Sequence, residues 1–191
     1  MRRVMFVRRL TVAGAIALFL LSGCATYTKV RSPYHHRKTG LQVDLPTDWL
    51  RYTPDRPHLT LTRNGLQLER ISVVVTKCGK ELSGTARVYR VGMLPHEIAE
   101  LSLGLIESSE VTRNFKIESV DLGRIAGRDG YQAEAVYVDK TGLPKRLRIV
   151  GFGIGDYVCE LRYSAADAAY FEKYEPAFDA VVTSVRVAAR K

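Results

Sequence analysis

Residues 131–163 read YQAEAVYVDKTGLPKRLRIVGFGIGDYVCELRY and decide the fold of the chain. Apolar and polar side chains alternate at the start of this stretch, as they do in a strand with one buried face. Turn-forming residues follow at Asp139 to Gly142 and again at Gly155 and Asp156. The predicted strands are 131–138, 145–154 and 157–163. Short turns join strands that run in opposite directions, so we expect two consecutive hairpins in an antiparallel sheet.

More strands precede this stretch. Residues 41–45 alternate apolar and polar side chains and predict a strand that Pro46 ends. The next residues lead to Trp49, which we expect to anchor the core. Asn64 and Gly65 lie between two apolar runs and predict a two-residue hairpin turn, with a β-bulge near residues 69–70.

Three segments have helical patterns. They are 94–109, 166–174 and 175–185. Pro95 suits the first position of the first helix, whereas Pro176 is expected to separate the other two. Strands joined by hairpins and interrupted by helices predict an α+β domain in which helices cover an antiparallel sheet.

The first 23 residues are typical of a secretory signal peptide. Four arginines and no acidic residue precede an apolar run of 12 residues, Leu10 to Leu21, which is too short to cross about 30 Å of hydrocarbon. The run ends in Leu21-Ser22-Gly23-Cys24, which resembles the lipobox of bacterial lipoproteins. This resemblance implies cleavage before Cys24 and its modification by diacylglycerol and a further acyl chain such as palmitate. The alternative is an ordinary signal peptide in which Cys24 has no special role.

The charge of the chain is concentrated before the domain. Of 29 Lys and Arg, eight precede residue 39, whereas all 20 Asp and Glu follow it, so residues 39–191 carry a net charge of +1. We therefore divide the chain into a signal peptide (1–23), a lipidated Cys with a basic tether (24–38) and one domain (39–191). The tether is expected to run along an anionic lipid surface or to serve as a solvated linker. The near-neutral domain argues against nucleic-acid binding.

The domain resembles the PsbP/Mog-like family. The resemblance rests on Leu41-Gln-Val-Asp-Leu-Pro-Thr-Asp-Trp49, on 125–131 with the long hairpins after it, and on the closing segment 170–186. It implies an α/β/α sandwich around an antiparallel sheet. Known members include an extrinsic photosystem subunit and a Ran-binding import factor, so the resemblance implies a non-enzyme that binds a partner protein.

The motifs typical of enzymes are incomplete. His96-Glu97-Ile98-Ala99-Glu100 has Glu where a zincin has its second His ligand, and the paired His35 and His36 have no nearby acidic or Cys ligand. The glycines at 151, 153 and 155 lie within a strand rather than before a helix, so we expect close packing there and not a phosphate site. We predict no catalytic residue, cofactor or metal.

The predicted strands also carry a cationic group. Lys145, Arg146, Arg148 and Arg162 lie on predicted strands as a possible cationic patch on the outer face of the sheet. Cross-strand ion pairs with Glu134 and Glu160 explain them adequately.

Two cysteines remain once Cys24 is lipidated. Outside the cytoplasm, Cys78 and Cys159 are expected to form a disulfide, the alternative being two thiols too far apart to meet.

The sequence thus predicts an envelope lipoprotein that binds or holds a partner protein without catalysis. Ala25 follows Cys24 in place of the Asp that resembles an inner-membrane retention signal, so the outer membrane, facing the periplasm, is the expected location. One alternative is a carrier of a lipid or small hydrophobic ligand, suggested by Tyr131, Tyr137, Tyr157 and Tyr163. Another is a hydrolase whose site is assembled from distant residues.

Overall fold

The structure is a computed structural model that describes residues 26–55, 58–82 and 85–188. The predicted signal peptide and Cys24 lie outside the described residues. The strands are β1 (Tyr27–Lys29), β2 (Tyr34–His36), β3 (Leu41–Val43), β4 (Leu50–Tyr52), β5 (Leu59–Thr62), β6 (Glu69–Lys77), β7 (Thr112–Ile125), β8 (Arg128–Asp139), β9 (Pro144–Ile154), β10 (Tyr157–Ala166) and β11 (Arg186–Val187). The helices are α1 (Pro95–Glu107) and α2 (Phe171–Thr183).

An eight-stranded antiparallel sheet in the order β1-β4-β5-β6-β10-β9-β8-β7 forms the centre of the domain. The two hairpins predicted from residues 131–163 are its β8-β9-β10 part, with Glu134 opposite Arg148 and Val150 opposite Leu161. The Asp139 carboxylate closes the first hairpin by accepting hydrogen bonds from the Thr141 amide at 2.8 Å and the Leu143 amide at 3.1 Å.

Helices cover both faces of this sheet. On one face, α2 and the small sheet β11-β3-β2 enclose a core that includes Trp49, which is 2% exposed and packs edge-on against Tyr174. On the other face, α1 buries Ile98 and Leu103 against β8 and β9. The predicted α/β/α sandwich is confirmed, as are the start of α1 at Pro95 and the role of Trp49 in the core.

The turn between β5 and β6 is longer than predicted. Leu61 lies opposite Ile71 and Leu59 opposite Val73, so residues 63–68 form the connection and Asn64 with Gly65 is not a two-residue turn. The fully buried Glu69 explains this geometry, because its Oε1 accepts hydrogen bonds from the Arg63 amide at 2.8 Å and the Asn64 amide at 2.5 Å.

Pro176 does not separate two helices. Residues 171–183 form the single helix α2, with Pro176 as its sixth residue. The helix is retained because Phe171, Tyr174 and Phe178 are buried against the sheet on both sides of the proline.

The structure also differs from the expected tether. Residues 27–29 pair with β4 and residues 34–36 pair with β3, so both segments form strands. Lys29 lies within β1, Arg31 lies between the two strands, and Arg37 and Lys38 follow β2, so backbone pairing at the edges of the two sheets orders this basic region.

The disulfide predicted between Cys78 and Cys159 is not formed, and the prediction was wrong. The Cys78 amide donates to the Asp156 carbonyl, three residues before Cys159, and about 3.3 Å per residue places the two Cα atoms about 10 Å apart. A disulfide needs less than about 7 Å. The thiols also face opposite sides of the sheet, since Cys159 lies in the core under α2 and Cys78 packs against the core under α1.

Candidate functional site

Helix α1 leaves part of its face of the sheet uncovered. It packs on β7, β8 and β9, and beside it a cleft of ≈ 1140 Å³ opens over β5, β6 and β10. We call this the cationic cleft. Its floor consists of Thr60, Ser72, Val74, Glu160, Arg162 and Ser164, its walls include Tyr89, Leu105, Ile106, Tyr137, Lys145 and Leu147, and its rim includes Arg37, Lys38, Asp55, His58, Arg70, Lys77, Lys80, Glu81, Asp139 and Lys140.

A buried ion pair forms the centre of the floor. Glu160 is 1% exposed, and its Oε2 accepts a hydrogen bond from Arg162 Nη2 at 2.5 Å. The Tyr131 hydroxyl donates to Glu160 Oε1 at 2.6 Å, and the Tyr89 hydroxyl does so at 3.4 Å. Arg162 Nη2 also donates to Ser102 of α1 at 3.4 Å, which ties the floor to the helix.

This network fixes the charge of its members around neutral pH. Burial raises the pKa of Glu160, but the Arg162 guanidinium and the hydrogen bonds outweigh it, so the carboxyl pKa is below its ordinary value. Burial and the Glu160 charge raise the pKa of both Tyr131 and Tyr89, so that both phenols stay protonated. The centre of the floor is therefore a fixed carboxylate–guanidinium pair with neutral tyrosine donors.

Gly151 explains why Tyr131 reaches Glu160. Gly151 lies directly opposite Tyr131 in the β8–β9 register, and a Cβ on it would lie 2.3 Å from Tyr131 Cε1. The Tyr131 ring therefore lies over the missing side chain. The close packing predicted for the glycine run holds at this position, and the neighbour is Tyr131.

Positive charge dominates the lining. Eight Lys or Arg side chains line the cationic cleft against four Asp or Glu, although the whole domain is close to neutral. Lys145 is 4% exposed and donates to the Gln67 carbonyl. Burial, with Arg70 nearby, lowers the pKa of Lys145 to about 8. Arg70 makes no ion pair within the described part of the chain.

Two nitrogens of the lining are buried without a hydrogen-bond partner among residues 26–55, 58–82 and 85–188. They are His58 Nδ1 and Arg162 Nε. Burial lowers the pKa of His58, so the imidazole is neutral at pH 7. A buried nitrogen without a hydrogen-bond partner destabilises a folded chain. The presence of two such nitrogens in the lining is therefore a reason to treat the cationic cleft as a candidate binding site.

The predicted site residues are spread over the molecule. Cys24 lies outside the described residues. The four tyrosines of the ligand hypothesis do not share a face, since Tyr131 and Tyr137 are buried on the α1 side and Tyr163 on the α2 side. Glu97 accepts a hydrogen bond from the Leu94 amide at 2.7 Å and so caps α1.

The predicted cationic patch is divided between the two faces. Lys145 and Arg162 line the cationic cleft, whereas Arg148 lies on the α2 side, where it pairs with Glu134, Glu175 and Asp179. Sequence analysis did not single out Arg70 or Tyr89, because nothing in the spacing of these residues links them to Arg162.

No helix within 26–55, 58–82 and 85–188 is long and apolar enough to cross a membrane. In the same ranges, no group of three or more His, Cys, Asp or Glu side chains is placed to hold a metal ion.

Comparison with known proteins identifies the fold. No protein-family model and no curated protein sequence matches the chain. A solved structure of PsbP (CyanoP) from Synechocystis matches with a TM-score of 0.58 and 14% identity, covering 88% of this chain and 96% of that one. The domain has the PsbP/Mog1 fold. The Ran-binding protein Mog1p of Saccharomyces cerevisiae also matches, with a TM-score of 0.54, 8% identity and coverage of 84% and 96%.

The PsbP/Mog1-like domain is thus established at the level of fold, as the sequence resemblance predicted. LpqN, a protein involved in cell envelope biogenesis of Mycobacterium tuberculosis, has a TM-score of 0.48 and 14% identity, covering 85% of this chain and 92% of that one. At such identities a shared fold does not carry over a partner or an activity.

Proposed function

We propose that this chain is a lipoprotein anchored through Cys24, whose PsbP/Mog1-like domain binds a partner protein at the periplasmic face of the outer membrane without catalysing a reaction. The Leu21-Ser22-Gly23-Cys24 motif supports the anchor, and the absence of Asp at position 25 supports the outer membrane. The fold is one that known proteins use for binding, among them the Ran-binding Mog1p.

The cationic cleft is the observation that carries the binding role. Its floor is organised before any ligand arrives, because Tyr131, Tyr89 and Ser102 hold the Glu160–Arg162 pair in one position. Preorganised polar groups in a concave surface favour binding, since little ordering remains to be done on association.

The same groups are poorly suited to proton transfer at neutral pH. A general acid or base works best when its pKa is near the working pH. Glu160 has a lowered pKa, and the pKa of Tyr131 and Tyr89 is raised, so their protonation states are fixed. Lys145, with a pKa of about 8, and His58, whose pKa burial lowers, are the exceptions in the lining, and the Lys145 ammonium donates to the Gln67 carbonyl.

The geometry also favours a protein partner over a hydrophobic ligand. Of the tyrosines that suggested an apolar cleft, Tyr131 and Tyr163 are fully buried in the core, and Tyr137 and Tyr157 contribute to the lining of the cationic cleft. The open space lies over a mixture of charged, hydroxyl and apolar side chains, where a purely apolar ligand would leave the charged and hydroxyl groups unpaired.

Replacing Cys24 tests the anchor. In cells that make lipoproteins, the full chain is expected in the membrane fraction after a high-salt wash and is expected to incorporate labelled palmitate. The Cys24→Ala variant is expected to do neither. Cys78→Ala is the matched control, because it removes a different thiol and is expected to behave as the unmodified chain. Palmitate incorporation that survives in Cys24→Ala would overturn the proposed anchor.

A further inference from the structure

We propose that the cationic cleft recognises an extended acidic segment of a protein, in which carboxylate side chains alternate with apolar ones. This inference rests on the proposed binding function and names the chemistry of the partner. It follows from where the cations lie, from what lies between them and from the shape of the cleft.

The cations follow the length of β6. Arg70 and Lys77 lie near the two ends of this strand, which are about 23 Å apart, and the Lys77 ammonium also lies 4.0 Å from the Asp156 carboxylate. Lys140 lies with Arg70 at one end of the cleft lining and Lys80 follows Lys77 at the other. A single small anion would contact one end only, whereas an extended peptide of about eight residues would contact both.

The middle of the cleft also offers a cation. Arg162 lies opposite Ser72 of β6, which places it between the two ends, and 27% of its side chain remains exposed after pairing with Glu160. Thr60 and Ser72 lie beside it on the floor and share a hydrogen bond of 3.0 Å. The Thr60 hydroxyl donates to the Asp55 carboxylate, so Ser72 donates to Thr60, and the group left to meet a carboxylate at this point is the Arg162 guanidinium.

Apolar side chains are interleaved with these polar groups. Val74, Leu105, Ile106 and Leu147 line the same cleft. A segment that alternates carboxylate and apolar side chains matches this mixture, because alternate side chains of an extended peptide point in opposite directions.

The shape of the cleft favours a peptide over a lipid surface. The Arg162 guanidinium lies on the floor of a concavity of ≈ 1140 Å³, beside the wall formed by α1. The flat surface of a bilayer would contact the rim cations without reaching this floor. A peptide strand is narrow enough to enter.

Fluorescence anisotropy with synthetic peptides tests this inference. The probe is a labelled peptide of about eight residues with alternating Glu and Leu, and the matched probes carry Gln or Lys in place of Glu. The protein is the full chain in neutral detergent micelles. We expect the Glu peptide to bind, the Gln and Lys peptides to bind at least about tenfold more weakly, and added salt to weaken binding of the Glu peptide.

Charge reversal at the rim identifies the cleft as the site. The double variant Arg70→Glu/Lys140→Glu is expected to weaken binding of the Glu peptide about tenfold or more. Lys116→Glu/Arg128→Glu is the matched control, since it changes the net charge equally at two exposed positions that do not line the cleft. That control is expected to bind within about twofold of the unmodified chain.

Three outcomes would overturn the inference. The first is equal binding of the Glu and Gln peptides, and the second is an equal loss of binding in the two double variants. The third is that the Glu peptide does not bind, whereas phosphatidylglycerol vesicles bind in a way that depends on Arg70 and Lys140. The last result would assign the cleft to lipid headgroups. Failure of the anchor experiment with Cys24→Ala would leave this binding result unchanged, so the two proposals fail separately.

Discussion

At the scale of single residues, Gly151 sets the geometry of the cleft floor. The Tyr131 ring occupies the space that a Cβ at position 151 would need, and this position brings the Tyr131 hydroxyl to Glu160. Gly151→Ala is therefore expected to lower the free energy of unfolding by about 1–3 kcal/mol through overpacking. Chemical denaturation followed by tryptophan fluorescence measures this change, because Trp49 is the only Trp and is buried in the core.

Gly153 supplies the control for this prediction. It lies two residues further along β9, and a Cβ there would meet nothing within 4 Å. Gly153→Ala is expected to change the free energy of unfolding by less than about 1 kcal/mol, with a gain as the expected sign. Equal losses in the two variants would show that packing against Tyr131 is not what requires glycine at 151.

The Glu160–Arg162 pair gives a second prediction at this scale. Glu160→Gln leaves the Arg162 charge without its carboxylate and is expected to lower the free energy of unfolding by about 3 kcal/mol. Folding lowers the Glu160 pKa below its ordinary value of 4.5, so the stabilisation is present above that pH and is lost as the pH falls through the pKa of the folded state. The difference between Glu160→Gln and the unmodified chain is therefore expected to shrink below about pH 4.5.

Glu134→Gln is the matched control, because the Glu134–Arg148 pair is 3.5 Å long and the Glu134 side chain is 40% exposed. Its removal is expected to lower the free energy of unfolding by at most about 1 kcal/mol. Denaturation curves at pH 7 and pH 4 distinguish the two pairs. A loss in Glu160→Gln that is the same at both pH values would contradict the account of the buried pair.

At the scale of elements, α2 contains a proline that its local sequence does not favour. Pro176 has no amide hydrogen to donate to the carbonyl four residues earlier, and interior proline costs about 3 kcal/mol relative to alanine. Proline also restricts the unfolded chain, which offsets about 1 kcal/mol of this cost. Pro176→Ala is therefore expected to raise the free energy of unfolding by about 1–2 kcal/mol in a denaturation experiment. A loss of stability would show that the local geometry at 176 depends on proline.

The elements also show what local sequence predicts and what it does not. The β8-β9-β10 hairpins and the start of α1 follow from alternation, turn residues and Pro95, which act over a few residues. The strands at 27–29 and 34–36 do not follow from local sequence, because their partners lie in β4 and β3 and neither segment has a local alternation of apolar and polar residues. The β5–β6 register depends on the buried Glu69 carboxylate, which sequence analysis treated only as part of a bulge.

At the scale of the whole molecule, the cationic cleft depends on residues that are distant in sequence. The sequence indicates that Lys145 and Arg162 belong to a cationic group. It does not indicate that they lie near Arg70, because that proximity depends on the pairing of β10 with β6. The same pairing places Cys78 and Cys159 on opposite faces, so it also decides that they do not bond. The order of the strands, rather than a sequence motif, brings these cationic side chains together, although the domain as a whole is close to neutral.

We propose that the anchored domain binds its partner protein through the cationic cleft. Photo-crosslinking in intact cells tests it most directly, with a photoreactive residue in place of Lys80 on the cleft rim and, as the control, in place of Arg128 on the exposed start of β8. Each is made with and without the Cys24→Ala change.

We predict one discrete crosslinked protein from position 80 in the anchored chain, with none from position 128 and a loss of the adduct in Cys24→Ala. The partner is expected to carry an acidic segment at the crosslinked site. The same adducts from both positions, or no adduct from position 80 in the anchored chain, would contradict the claim.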